Sequence, residues 1–201
     1  MNKLFSYIAG IFIAPRSTLN TIASRRPLGA AIIVFIFTSL ISSTAGLATL
    51  PSNSPLRAGS LFPAIFIGSL LFGILTWFLQ TGIYHLFAEF LGGRGSAFTL
   101  FTTLPFTSLP GIIMGPLSLL MGTLGSPLLG LPLSLIFLVW ILLLQAWALQ
   151  AIYKLSGPRA TAAILLPFAA FIAALIIFIL TLLTSLMPII IQTMPNIPLT
   201  L

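Results

Sequence analysis

The chain alternates long apolar runs with short polar connectors, and this pattern predicts its architecture. Five runs are long enough to cross a membrane, since roughly 20 apolar residues span a hydrocarbon core of about 30 Å. Helices are expected there, because a segment in lipid must satisfy its backbone polar groups internally. We therefore predict an all-α polytopic membrane protein, a bundle of five transmembrane helices forming one membrane domain over residues 1–201. The predicted spans cover residues 28–50, 61–90, 106–124, 133–153 and 162–190.

A shorter apolar run, Leu4–Ala14, cannot span a membrane and predicts an amphipathic helix instead. Leu4 and Ile11 fall on one helical face, a pattern typical of a helix lying along the membrane interface. A signal peptide is the alternative, but the residues before Pro15 form a poor cleavage site. Residues 1–27 are therefore expected to be a cytoplasmic, interfacial segment.

Three prolines, at positions 105, 110 and 116, interrupt the third run. Proline removes a backbone donor, and in lipid the freed carbonyl must find a partner within the protein. This proline-broken third span is predicted to pack inside the bundle or to line a polar crevice. The crossing is expected to start near Phe106, with Ala97–Leu104 either re-entrant or at the surface.

Composition identifies lipid as the solvent of these runs. The chain is 59% hydrophobic and 4% charged, with a mean hydropathy of +1.21, whereas soluble domains carry about 25% charged residues. The sequence contains no cysteine, which excludes disulfides, thiolate metal sites and cysteine nucleophiles.

The basic residues are distributed asymmetrically about the predicted spans. Seven of the eight lie on the amino-terminal side of a five-span topology, and Arg57 lies on the other side. The positive-inside rule then predicts a cytoplasmic amino terminus and an external carboxyl terminus, whereas four or six spans would scatter these charges. The seven residues are Lys3, Arg16, Arg25, Arg26, Arg94, Lys154 and Arg159.

The net charge of +7 does not indicate a nucleic-acid partner, because no basic stripe with interleaved stacking aromatics is present. Arg16, Arg25 and Arg26 are instead expected at the membrane surface, where they would contact anionic lipid headgroups.

The lone histidine, His85, and the lone acidic residue, Glu89, lie four positions apart and share a helical face. They could pair with each other or bind a cation, but two ligands are too few for a transition-metal site, so no metal or cofactor is predicted. The structural interpretation is a polar helix end with Glu89 balanced by Arg94. No paired carboxylates or serine–histidine arrangement exists, and we expect no enzymatic activity.

Gln80 and Gln145 are the notable polar residues within the predicted spans. They could join helices by hydrogen bonds, or line a polar substrate path together with Gln150. Two tryptophans seven positions apart, Trp140 and Trp147, are expected to be packing residues or interface anchors.

Small residues at four-residue spacing predict close helix packing, with dimerisation as the alternative. The positions expected to act in this way are Gly111 and Gly115, which form a GxxxG, Gly68 with Ala64, and Gly73 with Ser69.

Three segments carry a resemblance to a known family. They are IFIAPRSTLNTIASRRP before the first span, GGRGSAFTLFTTLPFTSLPGI (Gly92–Ile112), and WALQAIYKLSGPRATAAIL (Trp147–Leu165). In this order they resemble the prokaryotic branch of the Yip1 domain family. The resemblance implies a five-span protein of the prokaryotic cytoplasmic membrane with its amino terminus inside, and no catalytic residues. Eukaryotic relatives contact Rab-type GTPases, but the Asp-Leu-Tyr-Gly-Pro motif is absent here, so that activity is not carried over.

Two functional hypotheses follow. The first is a non-enzymatic membrane scaffold or adaptor, or a subunit of a larger membrane complex, with membrane lipids and other membrane proteins or further copies of itself as partners. The alternative is a transporter or channel for a small solute, ion or lipid, built on the broken third span with Gln80 and Gln145.

Overall fold

The computed structural model describes residues 3–48, 54, 61–123 and 130–193. These residues form eight α-helices, and no strand occurs among them, which confirms the predicted all-α fold. The helices are α1 (Lys3–Ile13), α2 (Pro15–Arg25), α3 (Leu28–Ala48), α4 (Phe62–Phe90), α5 (Ala97–Thr107), α6 (Gly111–Thr123), α7 (Gly130–Tyr153) and α8 (Gly157–Thr193).

Five helical segments of the described chain are long and apolar enough to cross a membrane, as predicted: α3, α4, the α5–α6 pair, α7 and α8. Helix α8 begins at Gly157, five residues before the predicted start at Ala162. Pro158 lies in its first turn, where a missing backbone donor is tolerated. Arg57, with most of its loop, and the last eight residues of the chain lie outside the described residues.

The amino-terminal segment contains two helices rather than one. Helix α1 is the predicted amphipathic helix, and the polar stretch after it forms α2, which starts at Pro15. Proline is common at the first position of a helix. The buried face of α2 consists of Leu19 and Ile22, which lie three residues apart. The buried face of α1 includes Ile11, so its apolar side packs on protein, while Phe5 remains 63% exposed.

The amino-terminal helices α1 and α2 pack against the face of α7 that carries Trp140 and Trp147. The ring of Phe12 meets that of Trp140 edge-on, with the centroids 5.7 Å apart. The guanidinium of Arg16 lies 4.8 Å from the centre of the Trp147 ring, within the range of a cation–π interaction. Both tryptophans are therefore packing residues that hold the amino-terminal segment against the bundle.

Helix α5, the first half of the third span, occupies the centre of the bundle. It contacts α1, α2, α3, α4 and α7, and Leu100 and Phe106 are fully buried. Helix α5 begins at Ala97, and the candidate membrane span that contains it runs from Ala97 to Leu117, so the helix starts nine residues before the expected start of the crossing near Phe106. The threonines that follow position 99 bond their hydroxyls to carbonyls of the preceding turn, so a polar-looking segment can be buried. A turn at residues 108–110 then breaks the span.

Pro105 lies inside α5 and leaves the carbonyl of Phe101, one turn earlier, without its helical donor. The indole Nε1 of Trp77 on α4 donates to that carbonyl at 3.0 Å. The same indole stacks on the Phe101 ring with centroids 4.0 Å apart, and on the Phe35 ring at 5.0 Å. The prediction that the freed carbonyl finds its partner inside the protein is confirmed.

The chain divides into two compact units, Met1–Ile164 and Leu165–Leu201. The first contains the buried core and the start of α8. In the second, the described residues continue α8 to Thr193 as one apolar helix. A helix of this composition requires lipid or other apolar helices around it.

Candidate functional site

The two predicted glutamines are joined through a tyrosine. Gln80 Nε2 donates to the Tyr84 hydroxyl at 3.3 Å, and that hydroxyl donates to Gln145 Oε1 at 3.1 Å. Tyr84 and Gln145 are 3% and 6% exposed, so this polar chain between α4 and α7 is buried. Gln150, the third member of the proposed substrate path, lies apart from it and lines a cavity beside Arg16.

His85 also pairs with a tyrosine of α7. Its Nδ1 lies 2.7 Å from the Tyr153 hydroxyl, and its Nε2 lies 3.5 Å from Glu89 Oε1. The predicted pairing of His85 with Glu89 is therefore present. Since the Glu89 side chain is half exposed and Tyr153 is 1% exposed, the group runs from the surface into the core. The hydrogen bond between His85 and Tyr153 ties the end of α4 to the end of α7.

Arg94 does not balance Glu89, and that part of the prediction is wrong for the described residues. Gly92 takes a left-handed conformation with φ of 84°, and the amide of Gly93 donates to the Ala88 carbonyl at 2.8 Å. This helix-ending motif turns the chain away from α4. The amide of Arg94 then donates to the Tyr153 carbonyl at 3.2 Å, and its side chain lines a cavity on another side.

The connector between α4 and α5 is held against Tyr153 by its glycines. A Cβ on Gly93 would lie 2.9 Å from Tyr153 Cβ, and one on Gly95 would lie 2.6 Å from the ring. Real side chains do not approach so closely, so this contact requires glycine at both positions. The connector thereby brings Ser96 and the start of α5 next to the end of α7.

The predicted packing glycines divide into two groups. A Cβ on Gly115 would lie 2.9 Å from Ala45 Cβ, and one on Gly73 would lie 2.9 Å from the Phe35 ring, so both allow close helix contact. A Cβ on Gly111 would make only an ordinary contact, 3.9 Å from Ile141. One on Gly68 would meet no atom of the described residues within 4 Å.

Four basic side chains from separate parts of the sequence converge on one end of the bundle. Two neighbouring cavities, of about 360 and 420 Å³, share Asn20 and Lys154 in their walls. Arg16 lines the first, and Arg26 and Arg94 line the second. We call these five residues the basic crevice. Arg25 lies outside it, exposed in the last turn of α2.

Sequence reasoning missed Tyr84, Tyr153 and Asn20, and it did not bring the four basic residues of the crevice together. Tyr84 lies four positions after Gln80, a spacing that could have suggested the bond between them. Tyr153 gives no such signal, because its partner is 68 positions away. The crevice residues come from three distant parts of the sequence and meet only through the packing of α2, α5 and α7.

Comparison with known proteins gives a match at the level of the family. The family model of the Yip1 domain matches residues 9–191, which include every helix from α2 to α7, the last five residues of α1 and all but the last two residues of α8. No curated protein and no solved structure matches the chain.

Proposed function

The chain belongs to the Yip1 domain family and is a multi-pass integral membrane protein; from this premise we propose that it is a non-enzymatic scaffold. In this role it acts as an adaptor or as a subunit of a larger membrane complex. Its partners are membrane lipids and other membrane proteins or further copies of itself.

The pairing of interior polar groups with one another carries this proposal. A solute path through a bundle needs donors and acceptors that remain free to bind the solute. Here the Tyr84 hydroxyl bonds Gln145 and accepts from Gln80, and the Trp77 indole bonds the backbone of α5. These groups hold helices together, which is what a scaffold requires of its interior.

The outer surface is consistent with contacts to lipid and to other helices. Helix α4 buries a single stripe of residues: Trp77, Thr81, Tyr84 and Ala88. Phe72 and Phe78, on its other faces, are 68% and 67% exposed. In a membrane, such faces meet acyl chains or the helices of a partner.

A transporter or channel is the second candidate, and one cavity favours it. This cavity of about 150 Å³ lies beside the break in the third span, and Gln80, Trp77 and Pro105 are among its lining residues. It is large enough for several water molecules and has polar groups to bind them.

Replacing both partners of the buried bond separates the two functions. The single change Gln145→Leu leaves the Tyr84 hydroxyl without its acceptor and should cost about 0.6–1.7 kcal/mol, the range for hydrogen bonds between membrane helices. Adding Tyr84→Phe removes the unsatisfied hydroxyl and should restore most of that stability, because Gln80, which then loses its acceptor, is only partly buried. The double variant therefore folds without the polar network.

We expect the wild type and the double variant to co-purify with the same stoichiometric protein partner from native membranes in mild detergent, as measured by mass spectrometry. Absence of any partner, together with solute flux in proteoliposomes that the folded double variant lacks, would instead establish transport. Gln150→Leu serves as the control, because Gln150 lies outside the network.

For orientation, we propose that the amino terminus lies in the cytoplasm of a prokaryotic cell. The convergence of Arg16, Arg26, Arg94 and Lys154 supports this, since positive residues favour the cytoplasmic side. The chain has no cysteine, so Ser24→Cys introduces a single thiol on the exposed part of α2. That thiol should resist an impermeant maleimide in intact cells and react after permeabilisation. Labelling in intact cells would show instead that the amino terminus lies outside the cytoplasm.

A further inference from the structure

We propose that the larger cavity of the basic crevice is a binding site for a phosphate group, carried by an anionic lipid headgroup or by a soluble phosphate. Arg26, Arg94 and Lys154 line it from three elements: the end of α2, the connector before α5 and the end of α7. No acidic side chain lines it, and the single carboxylate side chain of the sequence, Glu89, pairs with His85. The wall therefore carries three positive charges with no protein anion among them.

The first turn of α5 opens onto this cavity. Ser96, the residue that precedes the helix, lines the cavity, and its side chain makes no capping hydrogen bond. The amides of a first helical turn lack helical acceptors, and the helix dipole places partial positive charge there. An anion bound at this position would accept from those amides.

Thr99 provides an independent indication of a ligand. The residue is 4% exposed, it lines the cavity, and its Oγ1 has no hydrogen-bond partner among the residues that the structure describes. The neighbouring hydroxyls of Thr102 and Thr103 both donate to the Thr99 carbonyl, at 3.0 and 2.7 Å. A buried hydroxyl without a partner is costly, and a ligand oxygen in the cavity that reached this hydroxyl would accept its hydrogen bond.

Two of the cations occupy backbone positions that glycine would fill with less strain. Arg26 and Lys154 have φ of 48° and 58°, and they are the non-glycine residues with positive φ in the described chain. Both end a helix in the left-handed conformation, where glycine is the usual residue. At both helix ends, the chain therefore carries a cation facing the cavity in place of glycine.

The chemistry of these groups fits phosphate. Its oxygens accept two parallel bonds from a guanidinium, and also bonds from an ammonium, a hydroxyl and helix amides, all of which this wall offers. The cavity, at about 420 Å³, leaves room for a substituent on the phosphate. This site is independent of the scaffold function and would serve a transporter equally.

The test uses the full chain, purified in detergent, and has two arms. In the first arm, inorganic phosphate is titrated while thermal unfolding is followed by tryptophan fluorescence. In the second, the protein is placed in nanodiscs of phosphatidylcholine with or without phosphatidic acid. Saturable stabilisation in the first arm identifies a site for soluble phosphate, and stabilisation by phosphatidic acid alone identifies a headgroup site.

Arg94→Gln should weaken the binding found in either arm about tenfold or more, as expected for loss of a charged hydrogen-bond partner. Arg25→Gln is the matched control, because it removes the same charge from a residue outside the cavity, and it should change binding less than twofold. If Arg94→Gln and Arg25→Gln weaken binding equally, binding depends on general surface charge and the proposed site is wrong. Absence of saturable binding in both arms would overturn it as well.

Thr99→Val gives a signature that a purely structural threonine would not produce. Without ligand, the variant should be at least as stable as the wild type, because it replaces an unsatisfied buried hydroxyl by a methyl group of similar size. With phosphate or phosphatidic acid it should bind several-fold more weakly. Lower stability together with unchanged binding would exclude Thr99 from the site.

Discussion

Truncation of Tyr153 to alanine should lower the free energy of unfolding by roughly 3–5 kcal/mol, the range for removing a large buried aromatic ring. Tyr153 is 1% exposed and has the largest fully buried side chain among the described residues. Its ring fills the space against which Gly93 and Gly95 pack, and those glycines have no side chain to occupy the void. The connector before α5 would therefore lose its support.

Tyr153→Phe separates the ring from its hydroxyl. This variant keeps the packing and loses the 2.7 Å bond to His85, so it should cost about 1 kcal/mol. Both variants are to be measured by unfolding in mixed detergent micelles against the wild type. If Tyr153→Phe is as damaging as Tyr153→Ala, the hydrogen bond rather than the packing holds the connector.

Truncation of Trp77 to alanine should have an effect of similar size, again roughly 3–5 kcal/mol. The indole lies between the rings of Phe35 and Phe101 and so links α3, α4 and α5. Its removal opens a cavity at this junction and also leaves the Phe101 carbonyl, freed by Pro105, without a donor.

A double-mutant cycle isolates the hydrogen-bond part of that loss. Trp77→Phe keeps an aromatic ring but removes the donor, and should cost about 1–3 kcal/mol, the penalty for an unsatisfied buried carbonyl. Pro105→Ala supplies a backbone amide one turn after Phe101. In that background Trp77→Phe should cost at least 1 kcal/mol less. Equal costs in the two backgrounds would show that the indole acts through packing alone.

The broken third span shows how far local sequence reasoning extends. Three prolines in an apolar run predict an interior position and a carbonyl in need of a donor, because both follow from the chemistry of proline in lipid. The identity of the donor could not be predicted. Trp77 lies 24 positions before Phe101, and many side chains of α4 could have faced that carbonyl.

The polar residues also separate into contacts that local spacing predicts and contacts that the tertiary structure decides. The pairing of His85 with Glu89, one of the two possibilities that their spacing offered, is present, since four positions along a helix fix their separation. The pairing of Glu89 with Arg94 was wrong, because the left-handed Gly92 turns the backbone between them and sends Arg94 to the basic crevice. A left-handed glycine is a common way to end a helix, but the direction in which the chain then leaves depends on what the next helix packs against.

The sequence by itself determined the solvent, the helical class, the number of spans and the family. These properties depend on composition, on the length of apolar runs and on motifs of adjacent residues, and each is local or additive along the chain. Only the tertiary structure decided that Tyr153 supports the connector, that Tyr84 joins the glutamines and that Arg26, Arg94 and Lys154 share a cavity. Such contacts join residues far apart in sequence, and they depend on the rotation and register of each helix, which an evenly apolar span leaves open.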